Sequence, residues 1–354
     1  MHATIEELSK AVAEAARQRR PLCVRGSGTK DFLGGPLRGD PLGTGQYRGI
    51  VEYEPTELVI TARAGTPLAE IEAALHEKGQ MLAFEPPHFG PGATLGGCIA
   101  SGLSGPRRPY AGAARDFVLG VRLIDGKGSD LRFGGQVMKN VAGYDVSRLI
   151  AGSLGTLGLI TEVSLKVLPV PAFETTRCLK RTEAEAIGAM NEWAGKPLPV
   201  TATSYRDGEL SVRLSGARSA VEAAAKQLGG ASMDSEAATR FWVGIREQTD
   251  AFFMAGLPLW RLSVKPTTPP LGLHGSQFIE WGGALRWLSS SLDASAIRDA
   301  ATRAGGHATL FRGSDKSAGA FQPLPPALMQ LHRKLKLAFD PAGIFNPGRL
   351  YPDL

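Results

Sequence analysis

The sequence predicts an α+β fold, in which short strands and amphipathic helices follow one another without a repeating order. Its 354 residues are 43% hydrophobic and 21% charged, which suits one large or two ordinary globular domains with a real core. The 44 glycines and 24 prolines are spread along the chain and predict many turns and short strands. The spacing of apolar residues also changes repeatedly between the helical period and the alternation typical of strands.

Residues 1–171 are expected to form the first domain, because the run Pro169, Val170, Pro171 interrupts regular structure. The predicted elements are a helix from residue 4 to about 19, strands over 22–24 and 58–60, an irregular stretch over 34–49, a helix capped by Thr66 that begins at Pro67 and ends at Gly79, and strands over 117–124, 131–133 and 162–168.

Residues 172–320 are expected to form a second domain, an antiparallel sheet covered by helices that acts as a lid over the first. Its predicted elements are a hairpin over 200–205 and 209–214 with a turn at Asp207 and Gly208, helices over 218–228 and 293–304, and strands over 260–264, 277–281 and 284–287. In residues 321–354, Leu328, Leu331, Leu335 and Phe339 predict a final helix from Pro325.

Charge and cysteine content narrow the functional classes. The net charge is +6 and the basic residues are scattered, which disfavours nucleic-acid binding and fits an anionic cofactor, an anionic substrate or an acidic partner. Cys23, Cys98 and Cys178 are far apart and odd in number, so we expect no disulfide framework and a reducing compartment. No signal sequence or membrane-spanning segment is recognisable, and a cytoplasmic location is expected.

Three glycine-rich segments, 25–30, 92–102 and 152–161, predict a cradle for an extended phosphorylated cofactor. Glycine lets backbone N–H groups approach a pyrophosphate closely, and small hydroxyl residues add donors without bulk. Taken singly, each glycine is better explained as a turn residue.

Five segments in order, 25–30, 57–79, 91–105, 152–169 and 345–349, resemble the vanillyl-alcohol-oxidase-like flavoproteins with a PCMH-type FAD-binding domain. The resemblance covers nearly the whole chain. It implies a PCMH-type FAD-binding domain of two α/β subdomains in residues 1–171, an antiparallel-sheet α+β cap in 172–320, and a C-terminal segment, 321–354, that returns to the FAD domain.

The resemblance also implies a set of cofactor contacts. The residues that it assigns to FAD are Arg25, Gly26, Ser27, Gly28, Thr29, Lys30, Gly92, Ala93, Thr94, Gly96, Gly97, Ser101, Gly102, Ser153, Gly155, Gly158, Ile160 and Asn346. Thr29 stands where some relatives carry a histidine bonded to the flavin, so FAD is expected to be non-covalent. Leu154 replaces an acidic residue that is usual in the family.

The sequence identifies the substrate-binding residues less clearly than the cofactor-binding residues. Relatives that oxidise 2-hydroxy acids hold a divalent metal with clustered histidines, whereas the six histidines here lack ligand spacing, so we predict no metal. Oxidation of a 2-hydroxy acid needs a cation for the carboxylate and a base for the hydroxyl proton. Arg261, Arg312 and His307 are the candidates, and the alternative is a structural histidine with two arginines in ordinary ion pairs.

Segments 259–263 and 305–312 resemble the smaller FAD-binding subunits of bacterial glycolate oxidases, a branch of the same family. That resemblance implies oxidation of glycolate or a similar 2-hydroxy acid to the 2-oxo acid. Expected partners are a larger catalytic flavin subunit and an iron-sulfur subunit that receives the electrons, with peripheral membrane association through these partners. Two alternatives remain open: a non-catalytic subunit that stabilises a catalytic homologue, and a stand-alone FAD-linked oxidase of another small hydroxy acid.

Overall fold

The computed structural model describes residues 4–135 and 145–354. Before residue 170 its elements are, in chain order, α1 (Ile5–Gln18), β1 (Leu22–Arg25), β2 (Asp40–Gly43), β3 (Ile50–Glu54), β4 (Val59–Arg63), α2 (Leu68–His76), β5 (Gln80–Met81), α3 (Leu95–Ser101), α4 (Arg108–Ala111), α5 (Ala114–Phe117), β6 (Val118–Ile124), β7 (Asp130–Gly134), α6 (Val146–Ile150), β8 (Leu159–Lys166) and β9 (Leu168–Pro169).

The first sheet is antiparallel, with its strands in the order β3-β4-β8-β6-β7. Helices α2, α3, α5 and α6 share one apolar core with this sheet. In α2, Leu68, Ile71 and Leu75 are fully buried, as their helical spacing predicts. The sheet therefore forms a rigid base beneath the glycine-rich segments.

The C-terminal end of the chain lies against β1, which pairs in parallel with β2. Leu22 N donates to Ile344 O at 2.7 Å, and Asn346 N donates to Leu22 O at 2.9 Å. Ile344 and Phe345 are buried with α1 in the core beside β1. This segment thus extends the small sheet that carries the 25–30 loop.

After residue 170 the elements are β10 (Phe173–Lys180), α7 (Glu183–Ala194), β11 (Val200–Arg206), β12 (Glu209–Gly216), α8 (Arg218–Leu228), β13 (Ala231–Met233), α9 (Ser235–Glu247), β14 (Leu259–Ser263), β15 (Ser276–Glu280), β16 (Leu285–Ser289), α10 (Ala294–Arg303), β17 (His307–Arg312) and α11 (Pro326–Phe339).

The second sheet is antiparallel, in the order β13-β10-β12-β11-β15-β16-β14-β17. Helices α7, α8 and α10 pack on one face. The opposite face, called the inner face below, carries Phe278, Trp287 and Phe311, which share an apolar core with Phe89 and Leu103 of the first part of the chain. The α+β class predicted from sequence is confirmed.

Three local predictions are wrong. Thr66 does not cap α2, because its hydroxyl pairs with the backbone of Gly49 and Pro67 is the N-cap residue. The segment treated as a loop over 91–105 contains α3, whose N-cap side chain is Thr94. The stretch 34–49, expected to be irregular, contains β2.

Candidate functional site

A first cavity, open to solvent and about 80 Å³ in volume, lies where the 25–30 loop, α3 and the C-terminal segment meet. It is lined by Val24, Arg25, Gly26, Ser27, Gly28, Thr29, Lys30, Asp31, Leu37, Thr94, Gly97, Ala100, Ser101, Leu154, Asn346 and Arg349. Segments more than 300 residues apart in the chain therefore form one concave surface.

The absence of a side chain at Gly26 makes this surface concave. A Cβ atom there would lie 2.3 Å from Thr94 Oγ1, a distance that no real Cβ contact shows. The Thr94 hydroxyl itself accepts a hydrogen bond from Gly97 N at 3.3 Å and so starts α3. Loop and helix approach so closely here that only glycine fits.

Asn346 joins the three segments. It is 4% exposed; its Oδ1 accepts from Val24 N at 2.7 Å, and its Nδ2 donates to Leu154 O at 2.7 Å. One buried amide thus connects β1 to the turn at Leu154, and both ends of its side chain are satisfied. The Asn346 side chain therefore stabilises the contact between these segments, and it also lines the first cavity.

The first cavity carries more positive than negative charge. Arg25, Lys30 and Arg349 line it together with one carboxylate, Asp31, with which Arg25 forms an ion pair. Burial lowers the pKa values of Lys30 and Arg349, although the charge of Glu247 acts to raise the first and that of Asp31 the second. An excess of two positive charges matches the two negative charges of a pyrophosphate.

The structure brings ten of the residues assigned to FAD to the wall of this cavity: Arg25, Gly26, Ser27, Gly28, Thr29, Lys30, Thr94, Gly97, Ser101 and Asn346. The others lie outside that wall: Gly92, Ala93, Gly96, Gly102, Ser153, Gly155, Gly158 and Ile160. For two of these a packing role is visible, since a Cβ on Gly96 would meet Ala64 Cβ at 2.8 Å and one on Gly158 would meet Ile124 O at 2.9 Å. Asp31 and Arg349, which line the wall, were not assigned from the sequence.

A second cavity, about 30 Å³ in volume, lies between the inner face and the loop after α3. It is lined by Pro87, Phe89, Leu103, Ser104, Gly105, Pro106, Ile245, Arg246, Gln248, Arg261, Glu280, Trp281, Leu285, Trp287 and Phe311. Helix α3 links the two cavities: Thr94, Gly97, Ala100 and Ser101 line the first along the length of the helix, and residues 103–106 just after it line the second. Only Gly102 separates these two sets of lining residues in sequence.

Strand pairing places the polar groups of the second cavity. Arg261 on β14 lies opposite Trp287 on β16, and Trp287 lies opposite Phe278 on β15. Glu280 is two residues beyond Phe278 and therefore points to the same face. A cation and a carboxylate thus occupy diagonal positions on the inner face, with an indole between them.

Glu280 is 4% exposed, and its Oε1 accepts a hydrogen bond from Trp287 Nε1 at 2.7 Å. Burial raises the pKa of Glu280 to about 7, although Trp287 and Arg261 both act to lower it. Burial likewise lowers the pKa of Arg261 to about 10, with Arg108 as a second cause. Perturbed acids and bases of this kind are typical of functional sites.

Arg261 has no hydrogen-bond or ion-pair partner among the residues that the structure describes. Its guanidinium lies 5.0 Å from the ring centre of Trp281 and 6.0 Å from that of Trp287. A partly buried, desolvated guanidinium that forms no ion pair is costly, and such groups are usually paired or kept for a ligand.

The other two catalytic candidates lie elsewhere. His307 is exposed at the start of β17, opposite Ser263, and is not part of the cavity wall. Desolvation and the charge of Arg261 lower its pKa. Arg312 lies over Phe32 and Phe89, at 4.5 and 5.1 Å from their ring centres, in a neighbouring open groove.

Carboxylates hold the two parts of the chain together around the second cavity. Glu247, at the end of α9, accepts hydrogen bonds from His88 N at 3.0 Å and Phe89 N at 2.8 Å. On the other side, Glu85 accepts from Arg107 N and from Arg213 Nη2, both at 2.8 Å. These contacts fix the loop that carries Phe89 against the inner face.

Two features are absent from residues 4–135 and 145–354. None of the helices has the length and apolar character that crossing a bilayer requires. No cluster of three or more His, Cys, Asp or Glu side chains there is arranged to hold a metal ion.

Comparisons with known proteins fit this geometry. The family described as "FAD binding domain" matches residues 2–134, and the family described as "FAD linked oxidases, C-terminal domain" matches residues 312–350. The glycolate oxidase subunit GlcE of Escherichia coli is 49% identical over 352 residues, covering 99% of this chain and 97% of GlcE. This chain belongs to the FAD-linked oxidases with a PCMH-type FAD-binding domain. It is an FAD-dependent oxidoreductase of that family.

The chain is also similar to other proteins at lower identity. Glycolate oxidase subunit GlcD of Bacillus subtilis is 32% identical over 203 residues, which are 55% of this chain and 42% of GlcD. Among solved structures, p-cresol methylhydroxylase has a TM-score of 0.74 at 15% identity, covering 99% of this chain and 88% of that one. Alkyldihydroxyacetonephosphate synthase has a TM-score of 0.69 at 16% identity, covering 98% and 76%. These two structures show the PCMH-type fold.

Proposed function

We propose that this chain is the non-covalent FAD-binding subunit of a glycolate oxidase complex and takes part in oxidising glycolate or a similar 2-hydroxy acid to the 2-oxo acid. The observation that carries the proposal is the unpartnered Arg261 in a small cavity that begins where α3 leaves the FAD-binding surface. The near full-length similarity to GlcE supports the same assignment.

The residues of the first cavity fit the cofactor. Arg25, Lys30 and Arg349 would hold the FAD pyrophosphate, and the surface left open by Gly26 would admit it. When bound, FAD supplies a two-electron acceptor for a hydride from the substrate carbon. Thr29 has no nitrogen to bond with the flavin, so its place in the wall supports non-covalent binding.

Arg261 would anchor the substrate. A planar guanidinium pairs with both oxygens of a carboxylate, and the pairing is strongest where water is excluded. Arg312 and His307 remain predictions for a second cation and for the base. Electrons are proposed to leave through an iron-sulfur subunit beside a larger flavin-bearing homologue, since the nearly full-length relative GlcE is named as a subunit.

Anaerobic mixing of the FAD-loaded chain with glycolate or D-lactate tests the proposal. Loss of the yellow flavin absorption within one turnover is the expected result, because direct hydride transfer reduces the bound flavin. Absence of bleaching with every 2-hydroxy acid, alone and with the partner subunits, would contradict it.

The same experiment separates the alternatives. Bleaching that appears only after the larger homologue is added would favour a non-catalytic subunit. Rapid reoxidation by oxygen without any partner would favour a stand-alone oxidase.

A further inference from the structure

Three polar groups with unused hydrogen-bonding capacity line the second cavity. Arg261 has no polar partner within residues 4–135 and 145–354, and Glu280 Oε2 accepts no hydrogen bond there. Gln248 is 5% exposed, and its Oε1 is buried without a hydrogen-bond partner in the described part of the chain. Native proteins rarely bury such groups unpaired, which indicates that the cavity is built for a polar ligand.

The charge of this region specifies the ligand further. Arg108 and Arg261 both lie on the ring of Trp281, at 4.3 and 5.0 Å from its centre, and Glu280 is the one carboxylate in the described cavity wall. Arg246 is balanced by its ion pair with Glu247. With Glu280 ionised, the region keeps one excess positive charge, which one substrate carboxylate neutralises.

We infer that this cavity binds a small 2-hydroxy monocarboxylate, with its carboxylate on Arg261 and with Glu280 as the base that takes the hydroxyl proton. This inference rests on the proposed function and assigns the base to Glu280 instead of His307. His307 lies at the edge of the inner face, opposite Ser263, whereas Glu280 and Arg261 share the cavity wall.

The step balances in protons and electrons. The O–H bond of the substrate breaks, and its proton goes to Glu280 Oε2. The hydrogen on the carbinol carbon would leave with two electrons as hydride, for which FAD, when bound, would be the acceptor, and the carbon–oxygen bond would become the carbonyl of the 2-oxo acid. Glu280 ends neutral, and the proton must return to solvent before the next turnover.

The hydrogen bond from Trp287 has a defined part in this step. It fixes Oε1 and so orients the carboxyl group, while Oε2 remains available to the substrate. Trp281, Leu285 and Phe311 form the apolar wall, which leaves room for a short substrate side chain. Glycolate and lactate therefore fit the chemistry better than a long-chain hydroxy acid.

Three variants test the inference: Glu280→Gln, Arg261→Lys and the control Glu183→Gln. Glu183 is a carboxylate 3.5 Å from buried Arg286, on the other side of the second sheet, and lines no cavity described above. The rate of anaerobic flavin reduction is measured from pH 5.5 to 9. Glycolate affinity is measured separately by calorimetry on FAD-loaded protein whose flavin has been reduced chemically, so that binding occurs without turnover.

We expect Glu280→Gln to slow flavin reduction by a factor of about 10² or more and to abolish its rise with pH, with glycolate affinity changed less than about threefold. Arg261→Lys should weaken glycolate binding by a factor of about 10 or more, because the two-point pairing with the carboxylate is lost. Glu183→Gln should match wild type in both measurements. A merely structural role for Glu280 would not remove the pH dependence while leaving affinity unchanged.

The outcomes separate failure of the inference from failure of the proposed function. If wild type is bleached and Glu280→Gln is bleached equally fast at every pH, Glu280 is not the base, although the oxidation stands. If Arg261→Lys binds glycolate as wild type does, the carboxylate site is wrong. If wild type is never bleached, with or without partners, the proposed function fails and the role of Glu280 fails with it.

Discussion

At Gly26 the chain passes so close to Thr94 that a methyl group would collide with the threonine hydroxyl at 2.3 Å. We expect Gly26→Ala to lower FAD affinity at least about tenfold, or about 1.4 kcal/mol, because Thr94 must turn into the cofactor site or release α3. Titration of apoprotein with FAD measures the effect. Gly43→Ala is the control, since a Cβ there meets nothing within 4 Å; equal losses in both variants would refute the explanation.

Thr29 lines the first cavity and has no group that bonds covalently to the flavin ring. Acid precipitation of the yellow protein should therefore leave the flavin in the supernatant. Yellow colour retained in the washed pellet would show a covalent bond and would require another residue as its anchor.

Glu280 gives a prediction about stability. Its pKa is raised from 4.5 to about 7 in the folded protein by burial, with Glu85 contributing and Arg261 opposing. The folded state thus binds more protons than the unfolded state between these values, and stability falls as the pH rises through this range. The loss approaches about 3 kcal/mol above pH 7.

Urea unfolding of the apoprotein at pH 5 and pH 8 measures the direction of this change in stability with pH. From pH 5 to pH 8, the free energy of unfolding of wild type should fall more than that of Glu280→Gln. The fall for Glu183→Gln should equal that of wild type. A difference between wild type and Glu280→Gln that is the same at both pH values would mean that Glu280 titrates normally.

At the scale of single elements, α11 is held by a buried charge. Lys336 Nζ donates to Thr156 O at 2.8 Å, Phe345 O at 2.7 Å and Asp340 Oδ2 at 2.8 Å. The helix thereby fixes both the 152–161 turn and the C-terminal return. Leu328 and Leu331, two of the residues whose spacing predicts this helix, are 41% and 50% exposed, whereas Leu335 and Phe339 pack against the core of the first sheet.

We expect Lys336→Met to lower the free energy of unfolding by about 3–5 kcal/mol, because it leaves the buried charge of Asp340 without its cation and takes a donor from two carbonyls. Thermal unfolding measures the loss. Lys334→Met, an exposed change on the same helix, should stay within about 0.5 kcal/mol of wild type. Similar stability of the two variants would show that the Lys336 contacts are not important.

Sequence patterns predicted elements with strong periodicity and missed those without it. The α2 face and the β11–β12 hairpin follow from apolar spacing and from the turn at Asp207 and Gly208. Helix α3 was missed because two of its seven residues are glycines, which disfavour helices in isolation. Gly96 is there because α3 packs against Ala64, which is a tertiary requirement.

At the scale of the whole molecule, the cavity between the inner face and the α3 loop could not be predicted. Arg261 and Glu280 are nineteen residues apart in sequence, and only the β15-β16-β14 strand order places them on the same face of the sheet, one on each side of β16. The first cavity was partly predictable, because its glycine loop is a local pattern. The positive charge of Arg349 in this cavity was not predictable, because it depends on the C-terminal segment folding back against β1.

The central claim is that one elongated site runs from the 25–30 loop to the inner face. A crystal structure of the protein with FAD and oxalate, a non-oxidisable carboxylate, tests this most directly. We predict the pyrophosphate beside Arg25 and Lys30, the flavin ring near the 103–106 loop, and oxalate on Arg261. A flavin ring far from that loop, or oxalate bound away from Arg261, would contradict the account.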